Sequence, residues 1–508
     1  MADPQPLVLE REEKVDRESN VELGRVTEVE KDIERMKREK ESQETGTKKL
    51  SSISTIFSVW NTMIGSTILS VPYNVYKAGL LPTIFIGLLY GFICYLTCAV
   101  VVKLSGNEQD FAYVVYNYLY YGFGPKAAKV GKYLQIIFNL LINIGAALIY
   151  FLIINQNFFP CLSLLLNAIG CDIDADDITP HFDKFSLFYC ALIISAVAFP
   201  LTIAKELHKI QKFNSYGFIL VIPLLIFILY RGIASLATDS FHIGYKENIK
   251  GNNDRNLFLV GENIGLIAGT FSLGLFSHSF ILPLMKNNRI QENNQRDLFL
   301  GYVCVTLTYM LVGIMGYIGF SGSDFSSTFE KNWFHFYKSD YYMILILRIC
   351  NVIQLMTIFP ILFFIIRKQL FETFFKSYVD KRTARIIFSV IMLFLCILVL
   401  YGFYDQLAEL IGFIGAACAL VLVYTIAPLI NMINYYIRHE SKKEIQKIKD
   451  HKEEFLIIID IDELKPLIPW KAFIFYMCMI LIIILGIITL ILQIVTINFF
   501  NIKIEKTQ

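Results

Sequence analysis

Beyond residue 52 the chain carries apolar runs of membrane-spanning length one after another, separated by polar connections. A helix needs roughly 20 mostly apolar residues to cross the hydrocarbon of a bilayer. Inside that layer every backbone amide must find its partner within the protein, which favours helices over open strands. The runs fall at 53–76, 80–102, 133–159, 185–203, 213–230, 263–285, 298–320, 341–366, 386–404, 407–437 and 470–499. They predict an all-α membrane protein with eleven spans, the weakest being 213–230.

Apolar residues make up 55% of the 508 residues and charged residues 18%, too few charges for an ordinary soluble enzyme. The first run is no cleavable signal: it follows a long charged tail and ends in Val71, Pro72 and Tyr73, not in small residues. No basic block with interleaved aromatics points to nucleic acid. Residues 1–50 lack Phe, Tyr and Trp and are dense in Glu, Lys and Arg, so they read as a disordered tail with a transient helix near 26–40. Lys and Arg concentrate on the connections that share the tail's side, such as Lys126, Lys129 and Lys132. The tail is therefore expected in the cytosol and the C-terminus in the lumen or outside the cell. Most cysteines lie within apolar runs as packing residues. Cys161 and Cys171 fall at an outer connection, where an oxidising lumen would permit a bridge.

Two spans carry an interruption. The first reads WNTMIGSTILSVPY, with Gly65, Ser66 and Thr67 in mid-span and Pro72 beyond them. The sixth reads GTFSLGLFSHSFILP, with Gly274, Ser277, His278 and Ser279 before Pro283. Unwound backbone at membrane depth is tolerated where it lines a cavity or is buried by protein. A broken helix exposes amides at one half-helix end, suited to a carboxylate, and carbonyls at the other, suited to a cation. Breaks at corresponding positions of two halves are the best sequence pointer to a transporter site. The plainer alternative is that Gly and Ser only let helices pack closely. With five spans between one break and the next, the two halves would be inverted.

The stretches SSISTIFSVWNTMIGSTILSVPYNVYKAGL, KNNRIQENNQRDLFLGYVCVTLTYM and IGFIGAACALVLVY resemble the amino acid/auxin permease superfamily, and within it the lysosomal branch of solute carrier family 38. The resemblance implies a LeuT-type 5+5 inverted-repeat core, with repeats at 51–231 and 262–438, a cytosolic loop at 439–469 and an eleventh transmembrane helix at 470–499. It implies an endolysosomal or vacuolar membrane and amino-acid binding by Thr62, Met63, Ile64, Gly65, Ser66 and Thr67. Ser277 and His278 of the sixth-span break join that candidate set. Asn61 and Thr357 match positions where the wider family places oxygen ligands near sodium, so Na+ or H+ is the implied coupling ion. For Thr357 a hydroxyl bonded back to its own helix is the competing reading. A cytosolic nutrient-signalling scaffold is a partner of the family, but the tail of this chain shows none of its docking motifs.

Other titratable residues have plainer readings. His278 is expected as a neutral, hydrogen-bonded histidine, although its ordinary pKa would suit an acid sensor. Arg348 is expected to snorkel to the lumenal surface. Asp405 and Glu409 suit the dipole at a helix start. The acidic CDIDADDITPHFD loop is expected to remain solvated, and no metal-ligand spacing, phosphate loop or nucleophile elbow suggests an enzyme. The leading expectation is secondary active amino-acid transport by alternating access. The alternative is a non-transporting sensor that reports amino-acid status to cytosolic partners.

Overall fold

Apolar runs become helices throughout the computed structural model. It describes residues 49–508 apart from 66, 107, 109, 183, 206, 239–240, 245–254, 262, 320–332, 337–340, 379–380, 404–412, 414, 440–468 and 506–508. The expected helix at 26–40 and the pair Asp405 and Glu409 lie outside the described residues. Leu50–Gln508 forms one unit. Its helices are α1 (Ser52–Ile64), α2 (Val71–Ala78), α3 (Leu80–Leu104), α4 (Phe111–Ala168), α5 (Leu187–Thr202), α6 (Leu207–Thr238), α7 (Ile264–Gly274), α8 (Ile281–Lys286), α9 (Asn294–Ile318), α10 (Tyr342–Phe374), α11 (Arg382–Phe403), α12 (Ala427–His439) and α13 (Pro469–Glu505). Among the described residues, 8 helices are long and apolar enough to cross a membrane, counting 415–438 as one that enters α12 through a π-helical stretch, Leu420–Ile426. Helices α5 and α7 are shorter apolar segments. The broken spans are the pairs α1–α2 and α7–α8.

Helix starts follow side-chain capping. Ser51 accepts from the Ser54 amide at 3.3 Å and Asp110 from the Ala112 amide at 3.0 Å, each satisfying a donor that the first turn cannot. Helix α4 is two helices that meet at a kink at Gly124 (φ 84°), and the second begins at Pro125, ahead of the apolar run predicted at 133–159. Helix α6 likewise exceeds its predicted 213–230. Polar residues such as Asn214 and Ser215 lower its local hydropathy but are buried against neighbouring helices.

The buried apolar side chains form two clusters, one centred on α1–α3 and α6–α9, the other on α4, α5, α10 and α11. Helix α13 packs on α7 and on the π-helical stretch. On the outside of α3, Leu81, Phe85, Leu88 and Phe92 form one exposed ridge at helical spacing, a face suited to hydrocarbon.

Backbone ties join the broken spans at both ends. The amides of Gly261 and Asn263 donate to Ala78 O at 2.8 Å and Lys77 O at 2.9 Å. Gly79 (φ 89°) is required there, since a Cβ would lie 2.8 Å from Leu259 O. At the opposite end Leu50 donates to Asn287 O and accepts from Arg289 N, both at 2.8 Å, a parallel bridge centred on Asn288.

One expectation is corrected. Arg348 does not snorkel: it is 1% exposed, covered by the turn Trp333–Phe336, and its Nη2 donates to Phe334 O at 2.9 Å. Cys161 and Cys171 are both free thiols, one half-buried in α4 and one exposed beyond it.

Candidate substrate and cation site

Helix α1 ends at Ile64 because Gly65 takes φ 41° and ψ −143°, torsions that strain any residue with a Cβ. A 3₁₀ turn, Thr67–Leu69, then leads to α2, whose start carries Pro72 where its missing amide is harmless. The carbonyls released at the end of α1 are met by two tyrosine hydroxyls from other helices. Tyr309 Oη of α9 lies 2.6 Å from Met63 O and 3.0 Å from Ile64 O. Tyr150 Oη of α4 lies 3.5 Å from Thr62 O. Ser66 is outside the described residues.

The second break runs from Leu275 to Phe280, between α7 and α8. It meets the first directly: a Cβ on Gly274 would lie 3.0 Å from Thr67 Cγ2, and Gly274 O is 3.4 Å from Tyr309 Oη. The phenol of Tyr309 is thus shared by carbonyls from both breaks. Ser277 and His278 bond elsewhere. Ser277 Oγ pairs with Tyr302 Oη at 2.7 Å and Cys98 Sγ at 3.2 Å, and His278 Nε2 pairs with Thr97 Oγ1 at 3.0 Å. These bonds anchor the second break to α3 and α9, while Nδ1 of the fully buried His278 has no hydrogen-bond partner.

One turn before the first break, Asn61 and Thr357 lie together, with the Asn61 Nδ2 donating to Thr357 Oγ1 at 3.2 Å. The same amide nitrogen donates to Asn214 O at 3.0 Å and Asn214 Oδ1 at 2.8 Å, and Gln354 Nε2 donates to Asn61 Oδ1 at 3.0 Å. Thr357 Oγ1 also donates back to Gln354 O at 2.7 Å, so the intrahelical bond and the cluster coexist. Asn214 Nδ2 reaches Thr62 Oγ1 at 2.7 Å, linking this cluster to the residue that opens the break. All five side chains are buried.

The donor set fits a hard monovalent cation. Three oxygens surround the Asn61 amide nitrogen, and turning that amide over together with the Gln354 amide, whose Nε2 now donates to Asn61 Oδ1, would add a fourth. Gln354 Oε1 is buried with no hydrogen-bond partner, an acceptor in search of positive charge. Neutral oxygens are the chemistry of such ions, and no cluster of His, Cys, Asp and Glu among the described residues suits a transition metal. Sequence reasoning misses Tyr150, Tyr309, Asn214 and Gln354. The polar atoms of Asn214 and Gln354 inside apolar runs are the available signal.

Two interrupted helices, joined through the phenol of Tyr309 and flanked by a buried oxygen cluster, define a broken-helix fold of LeuT type. The structure of MhsT in complex with L-phenylalanine superimposes with a TM-score of 0.53 at 12% identity, covering 88% of this chain and 100% of that one. Residues 48–460 match the family described as transmembrane amino acid transporter protein, and the chain belongs to that family. It is 27% identical over 437 residues to neutral amino acid transporter 9 of Danio rerio, covering 77% of this chain and 76% of the relative. The sodium-coupled neutral amino acid transporter 9 homolog of Caenorhabditis elegans is 22% identical over 82% of this chain and 73% of its own. These relatives are transporters, not enzymes.

Proposed function

We propose that this chain carries an amino acid across an endolysosomal or vacuolar membrane by alternating access, coupled to sodium or protons. The observation that carries the reading is the shared phenol of Tyr309, which gathers Met63 O, Ile64 O and Gly274 O at the junction of the two breaks. Carbonyls at the end of α1 would receive the substrate ammonium. The amides of the turn that begins at Thr67 would receive its carboxylate. Asn61, Asn214, Gln354 and Thr357 would hold sodium beside them, and the sodium-coupled title of the worm relative supports that ion. Thr62 belongs to both sets, so ion and substrate occupancy would be sensed by one side chain. The repeats 51–231 and 262–438 would rock about this junction, with residue 49 and the loop 440–468 in the cytosol and the end of α13 in the lumen.

Uptake into proteoliposomes tests the reading. Saturable flux of L-leucine or L-arginine, accelerated by an inward sodium or proton gradient, is expected. Saturable binding without flux would convert the reading from carrier to receptor, and absence of both would end it.

A further inference from the structure

A cavity of about 40 Å³ lies at the end of the bundle that carries Leu50, lined among others by Asp110, Asn139, Ser279, Lys368, Gln369 and Glu372. A row of buried amides on α4 runs from it toward the candidate site. Gln135, Asn139 and Asn143 are at most 4% exposed and recur every fourth residue, so they share one face of the helix. Tyr150, two turns beyond Asn143 and therefore about 10 Å further along the axis, touches the first break. Asn143 Nδ2 donates to Asn139 O at 2.7 Å, Asn139 Nδ2 to Gln369 Oε1 at 2.7 Å, and Gln369 Nε2 to Gln135 Oε1 at 3.5 Å.

Amides between membrane helices can act simply as glue. Glue closes its own hydrogen bonds and leaves no void. Here Gln135 Nε2 and Ser279 Oγ are buried without a hydrogen-bond partner, and the latter borders the cavity. Polar groups in that condition call for water or for a polar solute. The charges at the mouth are the carboxylates of Asp110 and Glu372 and the ammonium of Lys368, with Lys132 near enough to act on Asp110. Lys368 Nζ approaches Glu372 Oε1 at 3.9 Å, and the Asp110 carboxylate caps the Ala112 amide. The carboxylates suit an ammonium, and the lysine on the lining, Lys368, suits the carboxylate of the same molecule. Meanwhile the Leu50 bridge holds the start of α1 to the end of α8, so these two ends would move together relative to α4 and α10.

We infer that the amino acid is released to the cytosol along the amide face of α4 and through this cavity, with Asp110, Lys368 and Glu372 as its charged mouth. The inference rests on the transport reading and names the route that reading requires. At about 40 Å³ the cavity has room for only a few waters and not for an amino acid, so the route must widen for release.

The test is labelling of full-length Ser279→Cys in sealed proteoliposomes of determined orientation, using a charged, membrane-impermeant methanethiosulfonate and the parent chain as the background. Binding of L-leucine and L-arginine is measured first on the same preparations. Labelling from the tail side at least several-fold faster than the parent, and slowed by the bound amino acid, is expected. Gln369→Cys provides a second position if Ser279→Cys does not fold. Asn139→Leu should slow flux at least tenfold while equilibrium affinity stays within twofold. Intact binding with labelling no faster than the parent, labelling only from the opposite side, or unchanged flux in Asn139→Leu would overturn the route alone. Loss of binding in the parent chain would overturn the transport reading with it.

Discussion

The hydroxyl of Tyr150 occupies the position that a side chain on Gly65 would need, closer than any real carbon contact allows. Glycine is therefore demanded twice at this position, once by the positive φ of the break and once by the phenol of a neighbouring helix. Gly65→Ala would be strained by about 1–2 kcal/mol from the torsion alone and would push Tyr150 off Thr62 O. Purified Gly65→Ala should melt lower and bind amino acid at least tenfold more weakly in its folded fraction. Combining it with Tyr150→Leu should recover part of the melting temperature, since contacting residues are not additive, but not the affinity. Normal affinity in Gly65→Ala would displace the site from the break.

Thr357→Val keeps the shape of the side chain and removes the hydroxyl from the oxygen cluster. The sodium concentration for half-maximal uptake should rise about tenfold, equivalent to roughly 1.4 kcal/mol, with near-normal protein abundance. Unaltered sodium dependence would take Thr357 out of the cation site.

Removing the phenol of Tyr309 leaves carbonyls from both breaks short of a donor. Tyr309→Phe should lower stability by about 1–3 kcal/mol, the usual cost of an unsatisfied buried group, and should slow transport more than it weakens binding. Thermal melting together with flux measures both. A variant with parent-like melting would mean that these carbonyls are satisfied by other groups.

What can be read in the sequence is set by the length scale of each signal. Spans announce themselves over some 20 residues, and each break combines glycine, hydroxyl residues and a following proline, so both are legible in the linear chain. Tyr150 and Tyr309 are not, because nothing local distinguishes them from the other tyrosines among the 28 in the chain. Their role depends on α4 and α9 crossing the broken span. Arg348 is misplaced by sequence reasoning for a related reason. Its distance along α10 from the helix start follows from residue spacing, but the turn Trp333–Phe336 that covers it comes from another segment. Ser277 and His278 sit in the break as expected, yet their side chains are claimed by Tyr302, Cys98 and Thr97, a rotation that residue spacing does not encode.

The burial of Arg348 makes a prediction about sign. Among the described residues its guanidinium has one hydrogen bond, while Nε and Nη1 are buried without hydrogen-bond partners. Replacing a poorly compensated buried charge by an apolar group of similar length is often neutral or stabilising. Arg348→Met should therefore melt at or above the parent temperature. A fall of several degrees would show that the charge is compensated in the intact membrane protein.

Orientation is tested by protease added to sealed vesicles in which the proposed cytosolic face is outermost. Residues 1–49 should be removed, while the segment around Cys171–His181 remains intact until detergent is added. The reverse pattern would invert the topology.

The paired backbone of Leu50 and Asn288 has a mechanical consequence. Because the start of α1 is stitched to the end of α8, the inner halves of the two broken spans form a single lever with fulcrums at Gly65 and Gly274. Neither arm can swing alone without first breaking two backbone hydrogen bonds. A torque applied to the chain just ahead of Leu50 is thus delivered to both halves of the machine at once.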